Sequence, residues 1–143
     1  VLAIDGLNVN YGASQVLWDV ALHVPAGQVV CLLGRNGVGK TTLLKSVMGL
    51  LRPRSGSVVF QDEQLVGLPP DRRAKRGMGY VPQGREIFPD LTVQENLQVG
   101  LVARGEPSRQ IDDEIYQLFP VLRTMLHRKG GVLSGGQQQQ LAI

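Results

Sequence analysis

Eight residues, GRNGVGKT at Gly34–Thr41, combine the side chains and backbone freedom needed to hold an anion. Gly34, Gly37 and Gly39, with Arg35, Asn36 and Val38 between them, let the chain curl until successive N–H groups point inward. Lys40 adds a full positive charge, Thr41 a hydroxyl suited to a hard cation such as Mg²⁺, and Thr42 a second hydroxyl. The spacing G-x-x-x-x-G-K-[ST] acquires its meaning between a strand and a helix, where backbone N–H groups cradle phosphates. Such a setting surrounds it. The apolar run Val29–Leu33 precedes it, and Leu43, Leu44, Val47, Met48 and Leu51 follow at helical spacing. The start of that helix would aim partial positive charge at the same spot. A plain glycine turn accounts for Gly34 and Gly37 but leaves Lys40 and Thr41 unexplained. The chemistry implied is the binding of a nucleotide's phosphates.

A second stretch, LSGGQ at Leu133–Gln137, has related physics. Ser134 stands where a helix N-cap belongs, and Gly135 and Gly136 leave the exposed amides open to a phosphate. Ser134 follows Thr41 by 93 positions. Together the two stretches resemble the ATP-binding subunit of ABC transporters, and the resemblance covers the whole chain. It implies an α/β fold: a P-loop NTPase with an ABC ATPase core, an antiparallel β subdomain and a helical subdomain. It also implies that Gly34–Thr42 hold ATP and that Tyr11 stacks on the adenine. Gln83, in YVPQGREIFPDLTVQENL, would reach the metal and the attacking water. Ser134, Gly135, Gly136 and Gln137 would meet ATP bound to the other subunit of a head-to-tail dimer. On this resemblance Lys40 and Gln83 are the catalytic residues, Thr41 and Gln83 the Mg²⁺ ligands. The implied partners are a second ATP-binding subunit, identical or not, integral membrane permease subunits and, indirectly, a periplasmic solute-binding protein. The implied location is peripheral, on the cytoplasmic face of the inner or plasma membrane. The segment after Gln83, through the helix Thr92–Arg104, is where this family contacts its membrane partner.

The elements that must position these residues are legible in part. Leu2–Tyr11 and Val16–Val24 read as strands, the second from the alternation of Val20, Leu22 and Val24. Val29–Leu33 reads as a strand buried on both faces. A helix is expected over Lys40–Leu51 and strands over Ser57–Gln61 and Met78–Pro82, with a short helix within LPPDRRAKRG between them. Thr92 and Glu95 have capping-box spacing, starting a helix that runs to Arg104. A further helix is expected from near Pro107 to before Pro120, and the last begins at Ser134. The expected organisation is one nucleotide-binding domain over residues 1–143, with the β subdomain and P-loop core at 1–83 and the helical subdomain and start of the signature helix at 84–143.

Composition excludes several classes. No apolar run approaches the ~18 residues needed to span a bilayer. One cysteine, Cys31, permits no internal disulfide and reads as a small buried hydrophobe within its apolar run. Seven basic residues between Arg52 and Arg85 read as a solvated face, because no aromatics interleave with them as single-strand binding requires; no nucleic-acid partner is expected.

The first residue is Val1 and the last, Ile143, falls in an apolar phase, so the chain reads as a fragment, truncated before the second phosphate-site strand. The family's Mg²⁺-supporting Asp, catalytic Glu and switch His would follow, so the fragment is expected to lack useful ATP turnover; without the strand that would pair beside Val29–Leu33, leaving an open apolar edge, it is expected to be poorly soluble or partly molten. Within the family, the segments around Gly34 and Gln83 look most like urea and branched-chain amino acid importers, leaning to urea. A soluble ABC ATPase of translation or DNA repair is the alternative, against which the compact spacing argues. A nucleotide switch or kinase sharing only the cradle is a third, against which LSGGQ counts.

Overall fold

Alternation of apolar and polar residues builds the first sheet. The computed structural model describes residues 1–105 and 110–143, without the side chain of Arg104. It divides into two units, Val1–Arg73 and Ala74–Ile143. In the first, β1 (Leu2–Tyr11) and β2 (Ser14–Val24) form an antiparallel hairpin closed at Gly12–Ala13, where Tyr11 pairs with Ser14. β3 (Ser55–Phe60) pairs with the other edge of β1, and β4 (Glu63–Gln64) with β3, giving the order β2-β1-β3-β4. Ile4, Leu7, Val9, Leu17, Val58 and Leu65 are buried; each such side chain stabilises by about 1.5–3 kcal/mol.

α1 (Lys40–Val47) buries Thr42, Leu43, Ser46 and Val47 along one side. It is shorter than the Lys40–Leu51 pattern, because Gly49 turns into the left-handed region at φ 77°. α2 (Pro70–Ala74) lies in the LPPDRRAKRG segment.

Two expected strands are not formed. Residues 29–33 and 78–82 carry no strand, and Val29 and Leu33 are 99% and 83% exposed. A strand buried on both faces needs ladder partners at its edges and cover on its faces. No described segment pairs with either run. Cys31, read as buried, is exposed for the same reason.

The second unit is helical. α3 (Val93–Arg104) starts at Thr92 as expected, with both arms of the capping box present. α4 (Asp113–Leu118) follows Asp112, whose carboxylate accepts from the Glu114 N–H at 3.0 Å. The expected start near Pro107 lies outside the described residues. Pro120 opens a further helix, α5 (Pro120–Thr124), since a proline suits the first turn. A 3₁₀ turn at Gly130–Val132 leads into α6 (Gly135–Ala142). Val93, Leu122, Leu133 and Leu141 form the core, with Ile87, Leu97, Phe119 and Met125 packed on it.

Candidate functional site

The phosphate loop is shaped by its own lysine. Lys40 Nζ donates to the carbonyl oxygens of Gly34 and Arg35 at 2.7 and 2.8 Å, closing the loop around the ammonium. Gly39 sits at the N-cap of α1 with φ 105° and offers no side-chain cap. A Cβ there would stand 2.6 Å from Leu17 Cδ2, so both the backbone angle and the packing against β2 require glycine. At Gly37 nothing lies within 4 Å of where a Cβ would be, which leaves that side of the loop open. Arg35, Asn36 and Val38 are exposed on the loop, Thr41 is exposed beyond it, and Thr42 is buried beneath. Tyr11, 47% exposed, stands at the end of the hairpin whose other strand touches Gly39 through Leu17.

In the second unit Gln83 is exposed and opens a strained turn. Gly84, Arg85 and Glu86 all have positive φ, 94°, 72° and 51°. For Arg85 and Glu86 this costs roughly 1–2 kcal/mol each, a strain that clusters at functional sites. Arg85 leans on α6: its Nη1 donates to Gln138 Oε1 at 3.3 Å, and its guanidinium lies 3.3 Å from where a Cβ of Gly135 would be.

The start of α6 is satisfied by its own residues. Ser134 Oγ accepts from the Gln137 N–H at 3.4 Å, and Gln137 Oε1 accepts from the Ser134 N–H at 2.9 Å. Gly136 has nothing within 4 Å of its missing Cβ. Tyr11 and Gly34–Thr42 therefore belong to the first unit, and Gln83 and Ser134–Gln137 to the second. An open cleft lined by Val1, Ala3, His23, Val59, Gln61 and Asp62 contains none of them.

Arg73 was hidden within the basic run. It is 2% exposed, so it does not belong to a solvated face. Nη1 donates to the Ser46 and Val47 carbonyls at 3.0 and 2.6 Å, Nη2 to Leu65 at 2.7 Å and Nε to Leu68 at 3.0 Å. Burial pushes its pKa down from the ordinary arginine value. The guanidinium thus closes the last turn of α1, the helix that starts at the loop. Nothing in the sequence separates it from its basic neighbours.

A family model described as ABC transporter matches residues 17–143. The high-affinity branched-chain amino acid transport ATP-binding protein BraG of Pseudomonas aeruginosa is 40% identical over 144 residues, covering 100% of this chain and 62% of its own. The probable branched-chain amino acid transport ATP-binding protein LivF of Archaeoglobus fulgidus is also 40% identical, covering 96% and 58%. The chain thus spans about three fifths of the length of these relatives. Among solved structures, the dimeric structure of MJ0796, a bacterial ABC transporter cassette, superposes with a TM-score of 0.84 at 25% identity, covering 100% of this chain and 67% of that one. The ADP conformation of MJ1267, an ATP-binding cassette, gives 0.77 at 27% identity, covering 99% and 62%. With the glycine-lysine loop at α1, LSGGQ at α6 and a match over residues 17–143, the chain belongs to the ABC transporter family, as part of its ATPase domain with a P-loop NTPase fold.

Proposed function

We propose that this chain is the nucleotide-holding part of an ATP-binding subunit that drives an importer. The observation that carries the reading is the Lys40 ammonium centred on the loop carbonyls at the uncapped start of α1. There it meets incoming phosphate oxygens without having to be repositioned over a long distance. The N–H groups of Gly37–Thr42 and the start of α1 supply further positive potential. Tyr11 offers its exposed ring to the adenine. Thr41 and Gln83 provide neutral oxygen donors of the kind Mg²⁺ accepts when phosphates and water complete its shell. Held by such donors, the cation would supply neutralisation of charge on the transferred phosphoryl group. Gln83 would orient the attacking water, and Ser134, Gly135, Gly136 and Gln137 would cover the nucleotide held by a second subunit in a head-to-tail dimer. The complete protein then hydrolyses ATP.

The 40% identity to BraG and LivF supports a branched-chain amino acid importer; urea, favoured by the segments around Gly34 and Gln83, is the second solute of this reading. Integral membrane permease subunits would dock on the segment after Gln83, with a solute-binding protein acting from the far side. No helix among the described residues is long and apolar enough to cross a membrane, in keeping with peripheral attachment at the cytoplasmic face. The test uses the complete protein. Equilibrium dialysis should show Mg·ATP retained, and affinity capture from membranes should bring down an integral membrane protein. No retention at millimolar ATP overturns the nucleotide reading; retention without a membrane partner favours a non-transport ABC ATPase.

A further inference from the structure

The LSGGQ stretch brings no charge to the phosphate it would cover. No side chain from Leu133 to Ile143 is ionisable. A helix start offers about half an elementary charge, and at α6 the Ser134–Gln137 box already engages part of it.

A full charge stands beside it, carried by another segment. A Cβ on Gly135 would lie 3.3 Å from Arg85 Nη2 and 3.6 Å from both Cζ and Nη1. The guanidinium therefore sits over the first residue of α6. Gly135 does not have positive φ, so its backbone angle does not require glycine; the missing side chain leaves room for the guanidinium.

Little in the protein engages that cation. Among the described residues its hydrogen bond is from Nη1 to Gln138 Oε1 at 3.3 Å, a long contact with a neutral amide. Among the same residues no carboxylate pairs with it. Arg73, by contrast, donates to four carbonyls. Arg85 is half-buried and held at φ 72°, a strain that glycine would avoid. An arginine kept there points to what its side chain does. Gln138 aims it: its Nε2 donates to the Gly130 carbonyl at 3.3 Å, which turns its oxygen toward Arg85. This gives one residue of the glutamine run a task beyond continuing the helix.

We propose that Arg85 is a further phosphate-binding residue, which supplies the positive charge that LSGGQ lacks. It donates to the terminal phosphate oxygens of the nucleotide held by the second subunit, and Gln138 is its positioning residue. This rests on the reading that Ser134–Gln137 cover that nucleotide. A planar guanidinium matches two phosphate oxygens at once.

The test measures, by sedimentation, association of the complete protein with its second ATP-binding subunit in Mg²⁺ and the non-hydrolysable analogue AMP-PNP. Wild type should associate. Arg85→Met keeps the bulk and removes the charge. It should associate at least tenfold more weakly, since a hydrogen bond between charged groups carries a factor of about 10–100. Gln138→Glu should also weaken association, because a carboxylate facing Arg85 takes up its charge and repels phosphate. A merely structural bond between the Gln83 turn and α6 predicts the opposite, since an ion pair would strengthen it. Thermal melts establish that each variant folds. Association of a folded Arg85→Met equal to wild type overturns the inference, as does unchanged or tighter association of Gln138→Glu. If Arg85→Met fails to fold, Gln138→Glu decides alone. A wild type that does not associate in AMP-PNP instead defeats the covering reading, and this inference with it.

Discussion

The starts of α1 and α6 are both glycine-rich and both lie in motifs associated with phosphate, yet they are built in opposite ways. α1 begins at a left-handed glycine with no side-chain cap, and its lysine closes the preceding loop around a charge. α6 begins with a serine and a glutamine that satisfy each other's backbone N–H groups. The far end of α1 is closed by the buried Arg73, while α6 carries no charge of its own at all. An open helix start is a poor way to stabilise a helix and a good way to receive an anion. α1 is anchored from behind by Arg73, which leaves its front free. α6 is finished in itself, so a ligand there must exchange with bonds already made. Under the proposed reading this suits a permanent nucleotide seat in one case and a reversible cover in the other.

The largest effect should follow from removing the anchor. Arg73→Met takes a buried guanidinium from four carbonyl oxygens and leaves them without donors. The expected loss is about 3–5 kcal/mol, or roughly 10 °C in melting temperature for the complete protein. Arg73→Lys keeps the charge but reaches fewer oxygens, so it should fall between the two. A melting temperature within a degree or so of wild type would mean that α1 is held by apolar packing alone.

Next in size is Lys40→Ala. Hydrogen bonds to charged groups contribute about 1.5–3 kcal/mol each, so ATP affinity should fall roughly 10–100-fold, measured by equilibrium dialysis. The fold should survive, because the Lys40 ammonium bonds to carbonyls of an exposed loop. Unchanged affinity would remove the ammonium from the phosphate site.

These two basic residues show what a sequence discloses. Lys40 is legible because its spacing from three glycines is a local fact about one turn. Arg73 is not, because its partners lie on α1 and before α2, and neighbouring Arg72 has the same chemistry on an exposed side chain. The first two strands, the capping box at Thr92, the N-cap at Ser134 and the helical pattern after Lys40 are similarly local. Val29–Leu33 and Met78–Pro82 are not, since a strand exists only with its ladder partners and no apolar pattern supplies those. Arg85 is equally silent: its closeness to Gly135 is a matter of tertiary packing.

Ser134→Ala tests the finished end. The cap bond is long, 3.4 Å, and the reciprocal bond from Gln137 survives, so the loss should be about 0.5–1 kcal/mol. Binding of ATP by an isolated subunit should be unaffected, the opposite of Lys40→Ala. A tenfold loss of affinity in the monomer would place Ser134 on its own chain's nucleotide.

The smallest effect separates two capping boxes that look alike. At α3 the reaching side chain is Glu95, whose carboxylate accepts from the Thr92 N–H at 2.7 Å and from its hydroxyl at 2.8 Å. The backbone bond first, and then the hydroxyl bond, hold its pKa below the ordinary glutamate value, with a small opposing effect of burial. A depressed carboxylate pKa gives stability that is present above the unfolded-state value and is lost as pH falls through the folded-state value. At α6 the same position is Gln137, which does not titrate. The destabilisation by Thr92→Ala should therefore be greater at neutral pH than in acid, while that of Ser134→Ala stays constant. Comparing each variant with wild type at each pH cancels the carboxylates that titrate elsewhere. Thermal melts at neutral pH and below the glutamate range measure both differences; equal shrinkage of the two would mean that the charge on Glu95 adds nothing to its box.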